Sequence, residues 1–164
     1  MQERRIATRP EELATPEEML SRSGLEFMQD MMAGQLAGPP IGATLNYRPE
    51  RVADGEVVFV GAPLFEHTNP MGTVHGGWYG TVLDSCMACA VMTKVPRGSV
   101  STTLEYKISI IRPIPIGTMV RATGRVQHAG RSTGVADGEI RGVEDGKLYA
   151  TGTTTCIIMK MAKD

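Results

Sequence analysis

The stretch Asn69-Pro70-Met71-Gly72-Thr73-Val74-His75-Gly76-Gly77, with Asp84 beyond it in a run of apolar residues, decides how this chain is read. From roughly His75 to Lys94 the sequence predicts a helix. Trp78, Tyr79, Val82, Leu83, Met87, Ala88, Ala90 and Val91 cover more than one of its faces, the pattern of a buried helix. Asp84 interrupts that pattern. An unpaired carboxylate in apolar surroundings is costly, and no Lys or Arg lies between Ala62 and Thr93 to pair with it locally. Either it hydrogen-bonds a neighbouring strand, or it faces a polar cleft, or it serves chemistry; such an acid is a functional candidate.

The start of this helix has its own chemistry. A first helical turn leaves backbone N–H groups without intrahelical partners, and the helix dipole adds positive potential there. Glycines at 76 and 77 allow a ligand to approach those donors closely. A carbonyl oxygen gaining negative charge would be stabilised at this point. Yet Gly76 and Asp84 are eight residues apart, about 12 Å of rise on a continuous helix. Groups acting on one carbonyl must lie within a few ångströms of it. Two helices packed antiparallel about a two-fold axis would bring the glycine turn of one copy to the aspartate of the other, giving two shared sites.

Working outward, Thr15-Pro16-Glu17-Glu18 is a helix start, with Thr as N-cap, Pro in the first turn and Glu three residues after the cap. Gly24 is expected to interrupt or offset this helix. Phe27, Met28, Met31, Met32 and Leu36 then recur at helical spacing as a stripe that packs on the main body. Ala43–Arg48 and Glu56–Val60 flank Asp54-Gly55 and read as a hairpin. Ser101–Arg112 carries Leu104, Tyr106, Ile108 and Ile110 in the alternation of a half-buried strand. Strands are predicted at Thr118–Gln127, Gly134–Val143 and Leu148–Met159, separated by turn signals. The order helix, two strands, helix, four strands predicts an α+β domain with one helix against a long antiparallel sheet. The alternation and phosphate loops of a Rossmann or P-loop fold are missing.

A length of 164 residues suits one domain. It divides into an expected loose tail over 1–14, a helical segment over 15–37 and a core over 43–160. The net charge of -1 makes no electrostatic case for nucleic acid. Met1-Gln2-Glu3-Arg4-Arg5 has no apolar run behind it, and the weakly charged stretch Thr68–Met92 carries Asp84 and four glycines, so neither a secretory signal nor a membrane span is expected. Cys86, Cys89 and Cys156 are too few for a disulfide framework. Together these predict a cytoplasmic protein.

The Asn69–Gly77 segment with Asp84, and Thr103-Leu104-Glu105-Tyr106-Lys107-Ile108-Ser109-Ile110-Ile111-Arg112-Pro113, resemble hotdog-fold thioesterases of the PaaI type over roughly residues 24–160. The resemblance implies a curved antiparallel sheet around one long helix, protomers paired into dimers and dimers into tetramers, and hydrolysis of an acyl-CoA. It implies that Gly76 N–H polarises the thioester carbonyl, with His75 shaping the turn. Asp84 of the second copy would be nucleophile or base, Asn69 would orient water or carboxylate, and Thr103 would stand near the acid, with Thr102 an adjacent competitor. Gly77 and the turn His128, Arg131 and Ser132 would contact substrate, an Arg with neighbouring donors suiting phosphate. No cofactor is implied, coenzyme A being part of the substrate.

Other signals are discounted. Gly130–Gly134 matches G-x-S-x-G, but strands flank it where a nucleophile elbow needs a strand-to-helix turn. Cys86 and Cys89 match C-x-x-C inside a buried helix, where thiols act as small hydrophobes. His67, His75 and His128 make no metal-ligand pattern. The alternatives are a hotdog hydratase or dehydratase on acyl-CoA or acyl-carrier protein, which would need a His–acid pair, and a non-catalytic acyl-CoA-binding module.

Overall fold

The computed structural model describes residues 5–161. Helices α1 (Pro16–Leu20), α2 (Gly24–Met32) and α3 (Ile41–Thr44) precede strands β1 (Tyr47–Ala53) and β2 (Glu56–Gly61). Helix α4 (Gly76–Met92) follows, then β3 (Ser99–Ile110), β4 (Val120–Ala129), β5 (Thr133–Gly142) and β6 (Leu148–Lys160). The strands form one antiparallel sheet in the order β1-β2-β4-β5-β6-β3, with α4 packed across its inner face. This is the hotdog arrangement.

Helix α4 sits close because the sheet is cut away beneath it. Gly124 pairs with Gly138, and Gly138 with Gly152, so three glycines align across β4, β5 and β6. A Cβ at Gly138 would lie 2.7 Å from Met87 Cγ, and one at Gly124 would run into the backbone of Cys86. Ala122, Ala136 and Ala150 extend the same fully buried face. The outer face carries ion pairs instead, such as Arg125–Glu56 and Arg121–Glu50, each at 2.6 Å.

Several expectations need correction. The tail expected over 1–14 is held in place from Arg5: Ile6 bridges Gly38, Ala7 N–H donates to the Gly38 carbonyl at 2.9 Å, and Ala7 is buried. Residues 1–4, where the charged start falls, lie outside the described residues. The predicted Thr15–Glu18 capping box forms. A second one forms as well: Ser23 Oγ accepts from Glu26 N–H while Glu26 accepts from Ser23 N–H. That cap, rather than Gly24, separates α1 from α2. Gly24 begins α2 and marks its contact with the end of α4, donating to the Val95 carbonyl at 2.9 Å. Helix α2 ends at Met32, so Leu36 is buried from the segment beyond it.

The first strand starts later than predicted. Residues 41–44 make a helical turn, Asn46 takes a left-handed φ of 54°, and only from Tyr47 is the chain extended. The hairpin then closes as expected around Asp54-Gly55, Ala53 pairing with Glu56. Strand β3 also differs. It is an edge strand with a bulge at Leu104, and Leu104 and Tyr106 are 59% and 46% exposed. Among the described residues no helix is long and apolar enough to cross a membrane.

Candidate active site

Two constellations stand at different levels of α4. At its start, His75 is the N-cap, and its Nδ1 accepts the Gly77 N–H at 2.8 Å. A Cβ at Gly77 would sit 2.9 Å from that nitrogen, so the capping geometry requires glycine. Gly77 therefore spends its donor within the turn. Gly76 N–H has no acceptor among the described residues, and the residue is partly exposed. The open donor of the turn is Gly76.

The loop before this turn is built around Asn69. Its Oδ1 accepts from Met71 and Thr73 N–H at 2.9 and 3.3 Å, its Nδ2 donates to Thr73 Oγ1 at 2.9 Å, and its own N–H donates to the Thr73 carbonyl. In this chain Asn69 shapes the loop. His67 anchors the same loop, a role that sequence reading missed. Its Nδ1 accepts from Leu64 N–H at 2.9 Å, its Nε2 faces the Thr44 carbonyl at 3.0 Å, and its carbonyl receives the His75 N–H. A buried histidine with both ring nitrogens on backbone groups is a structural clamp. Only the turn-rich surroundings of His67 hinted at it.

Further along α4, Asp84 Oδ1 accepts from Thr103 Oγ1 at 2.9 Å. Thr102 is exposed, so Thr103 is the hydroxyl that meets the acid. The helix is not enclosed all round within one chain. Thr81, Asp84, Ser85, Ala88, Cys89 and Met92 are all partly exposed, whereas Trp78, Tyr79, Val82, Leu83, Cys86 and Met87 are sealed. Asp84 thus lies on an open stripe rather than in the interior. Within a single continuous helix it stays about 12 Å of rise from Gly76.

The sequence pattern of the Thioesterase superfamily matches residues 71–149. A phenylacetic acid degradation-related protein from Ralstonia eutropha is 30% identical, with a TM-score of 0.72 over 80% of this chain and 98% of that one. The chain belongs to the thioesterase superfamily. A point mutant of the phenylacetic acid degradation protein PaaI from Thermus thermophilus is 29% identical, with a TM-score of 0.66 over 72% of this chain and 97% of that one. Mouse acyl-coenzyme A thioesterase 13 is 31% identical over 90 residues, 55% of this chain and 64% of that protein. The chain spans less than two thirds of the first curated relatives it matches, 63% and 64% of their lengths.

The remaining thioesterase candidates are dispersed. His128, Arg131 and Ser132 are exposed at the β4–β5 turn. Gly134, next to that turn, abuts Val91, about 22 Å of helical rise from Gly76. Among the described residues Arg131 makes no ion pair. Trp78 and Tyr79 are core residues: Trp78 Nε1 donates to the Leu45 carbonyl at 2.9 Å, and Tyr79 Oη accepts from Ile114 N–H at 2.8 Å. Burial raises the Cys86 thiol above its ordinary value, and the apolar surroundings of the half-buried Cys89 push its thiol up to about 12, which keeps both protonated. No group of three metal-binding side chains occurs among the described residues. A hollow of about 530 Å³ on the outer face of the sheet, lined by Lys107, Arg125, Asp137 and Glu139, shares no residue with these constellations.

Proposed function

We infer that the chain hydrolyses acyl-CoA thioesters at two sites, each shared between two copies. The observation that carries this reading is the pairing of an open Gly76 N–H with a partly exposed, hydroxyl-held Asp84 on one helix, too far apart to serve one carbonyl. In an antiparallel pair the thioester oxygen accepts from Gly76 N–H of one copy. Asp84 of the second copy then attacks the carbonyl carbon, or removes a proton from the water that does. Either route forms a bond to the acyl carbon and breaks its C–S bond, expelling coenzyme A as thiolate; after direct attack, water then cleaves the acyl–Asp84 anhydride to release the acid and restore the carboxylate. Thr103 holds the carboxylate in place during this step.

The sheet supports such pairing. At one edge, β1 carries Pro49 and the charged Arg48, Glu50 and Arg51, with a bulge between Pro49 and Arg51, the features that blunt an edge. The other edge, β3, is twelve residues long and exposes Leu104, Tyr106 and Ile110. A second copy joining along β3 would cover them, and further pairing of dimers belongs to the same reading. Coenzyme A phosphates are assigned to the exposed Arg131 turn. Among the described residues no His forms an ion pair with an acid, which counts against the hydratase reading.

The test is thiol release from a panel of acyl-CoAs. Asp84→Asn is expected to lower turnover at least ~100-fold, the scale of losing a general base, while coenzyme A binding is retained. A loss under about threefold would contradict the assignment. Gly76→Pro is a sharper tool. Gly76 is the first helical residue and follows an extended His75 (ψ 138°), so the backbone accepts proline, which removes the N–H and sets its own ring carbon on that nitrogen.

A further inference from the structure

A cavity of about 330 Å³ lies between α2, β1 and the open side of α4. Met28, Met31, Ile6, Ile41, Tyr47 and Phe59 line it, and the stretch 5–42 supplies most of that wall. Arg5 and Arg48 also border it, both exposed, which leaves their charged ends in water. Its α4 side is Ser85 and Cys89. Ser85 follows Asp84 directly, about 100° around the helix. The two neighbours are tied in different directions: Asp84 to Thr103 on β3, and Ser85 Oγ to Tyr47 Oη at 2.9 Å on β1. Ser85 and Tyr47 both line the cavity, whereas Asp84 does not. Trp78 and Tyr79 take no part in the lining.

We propose that this cavity holds the acyl chain, so that the protomer supplying Asp84 also reads chain length, with the N-terminal segment as the wall that limits it. The proposal rests on the thioesterase reading above. An acyl group whose carbonyl sits beside Asp84 passes over Ser85 and Tyr47 into an apolar space whose lining includes no residue of the glycine turn. A methylene occupies about as much room as a liquid water, roughly 30 Å³, so the space takes on the order of ten carbons. Met28 and Met31 are unbranched and conform to a flexible chain, and a single ring, which a cavity of about 150 Å³ already holds, would leave much of the 330 Å³ unfilled. The occupant is therefore an unbranched aliphatic acyl chain of medium length.

The test is the chain-length profile of kcat/KM for straight-chain acyl-CoAs, with phenylacetyl-CoA alongside. For the wild type kcat/KM rises about fourfold per methylene until the cavity fills, near ten carbons. Met31→Trp fills space on α2 and moves the optimum shorter by roughly three carbons, and Met31→Ala moves it longer. In dimers mixed from Asp84→Asn and Gly76→Pro subunits, one site keeps both groups, and its Asp84 comes from the Gly76→Pro subunit. Met31→Trp shifts the profile when placed on that subunit and leaves it alone when placed on the other. If thiol is released but both Met31 variants keep the wild-type profile, or if phenylacetyl-CoA outpaces every straight chain, the cavity is not the acyl site and the hydrolase reading stands. If no acyl-CoA releases thiol, both readings fall. Should Met31→Trp not fold, Met31→Ala and a crystal soaked with decanoic acid decide. Density for the chain between α2 and α4 supports the proposal, and an empty or side-chain-filled space overturns it.

Discussion

The two sides of α4 are built to opposite ends. Toward the sheet, Leu83, Cys86 and Met87 press onto a glycine stripe with no room for a single added carbon. On the side left open between the two edge strands, Thr81, Asp84, Ser85 and Ala88 are small or polar and partly exposed. One side supplies cohesion, and the other exposes a held carboxylate on a surface a second helix can approach. Stability and activity should therefore respond to different residues of the same helix.

Substitutions can separate the two sides. The largest effect is expected on the open side, where Asp84→Asn should remove nearly all turnover while the thermal midpoint holds or rises, since active-site groups are commonly kept at a cost in stability. Loss of stability in parallel with activity would erase the contrast. On the sheet side, Gly124→Ala forces a carbon into the Cys86 backbone and should destabilise by about 1–3 kcal/mol, the usual range for overpacking, as read by denaturant unfolding. Residual enzyme should keep its kcat per folded molecule. Thr103→Val removes the hydroxyl that Asp84 accepts and should lower kcat by about tenfold without changing the unfolding midpoint, a loss in the range of one hydrogen bond to a charged group.

The smallest effect concerns α2. Glu26 is held at about 2, down from 4.5, first by its hydrogen bonds from Arg97 and then by Ser23 N–H. Because the folded value is depressed, the anchoring is complete above pH 4.5 and is lost as pH falls toward 2. Glu26→Gln should flatten the fall in unfolding midpoint across that window, and an unchanged slope would show that the ion pair does not hold α2.

Much of this was legible in the sequence, for reasons tied to particular residues. Periodicity marked α4 and the long strands, Asp54-Gly55 marked its hairpin, and Thr15–Glu18 marked its cap. The cap at Ser23 obeys the same rule, but the eye goes first to Gly24, which suggests a break rather than a docking point. The start of β1 was misplaced because Ala43-Thr44-Leu45 suits strand and helical turn alike, and the left-handed Asn46 that separates them is a tertiary outcome. Asp84 is a different case. Its isolation within an apolar run was visible, but its contact with Thr103 depends on how β3 lies against α4, with a bulge at Leu104. The open stripe around it depends on what one chain leaves uncovered. No periodicity encodes that.

Mixing two crippled proteins tests the shared site most directly. Asp84→Asn and Gly76→Pro subunits, each inactive alone, are unfolded together and reassembled at equal concentration. Random pairing leaves one intact site in each mixed dimer, so about one quarter of wild-type activity should return. If each copy carries a complete site of its own, the mixture stays as inactive as its parts.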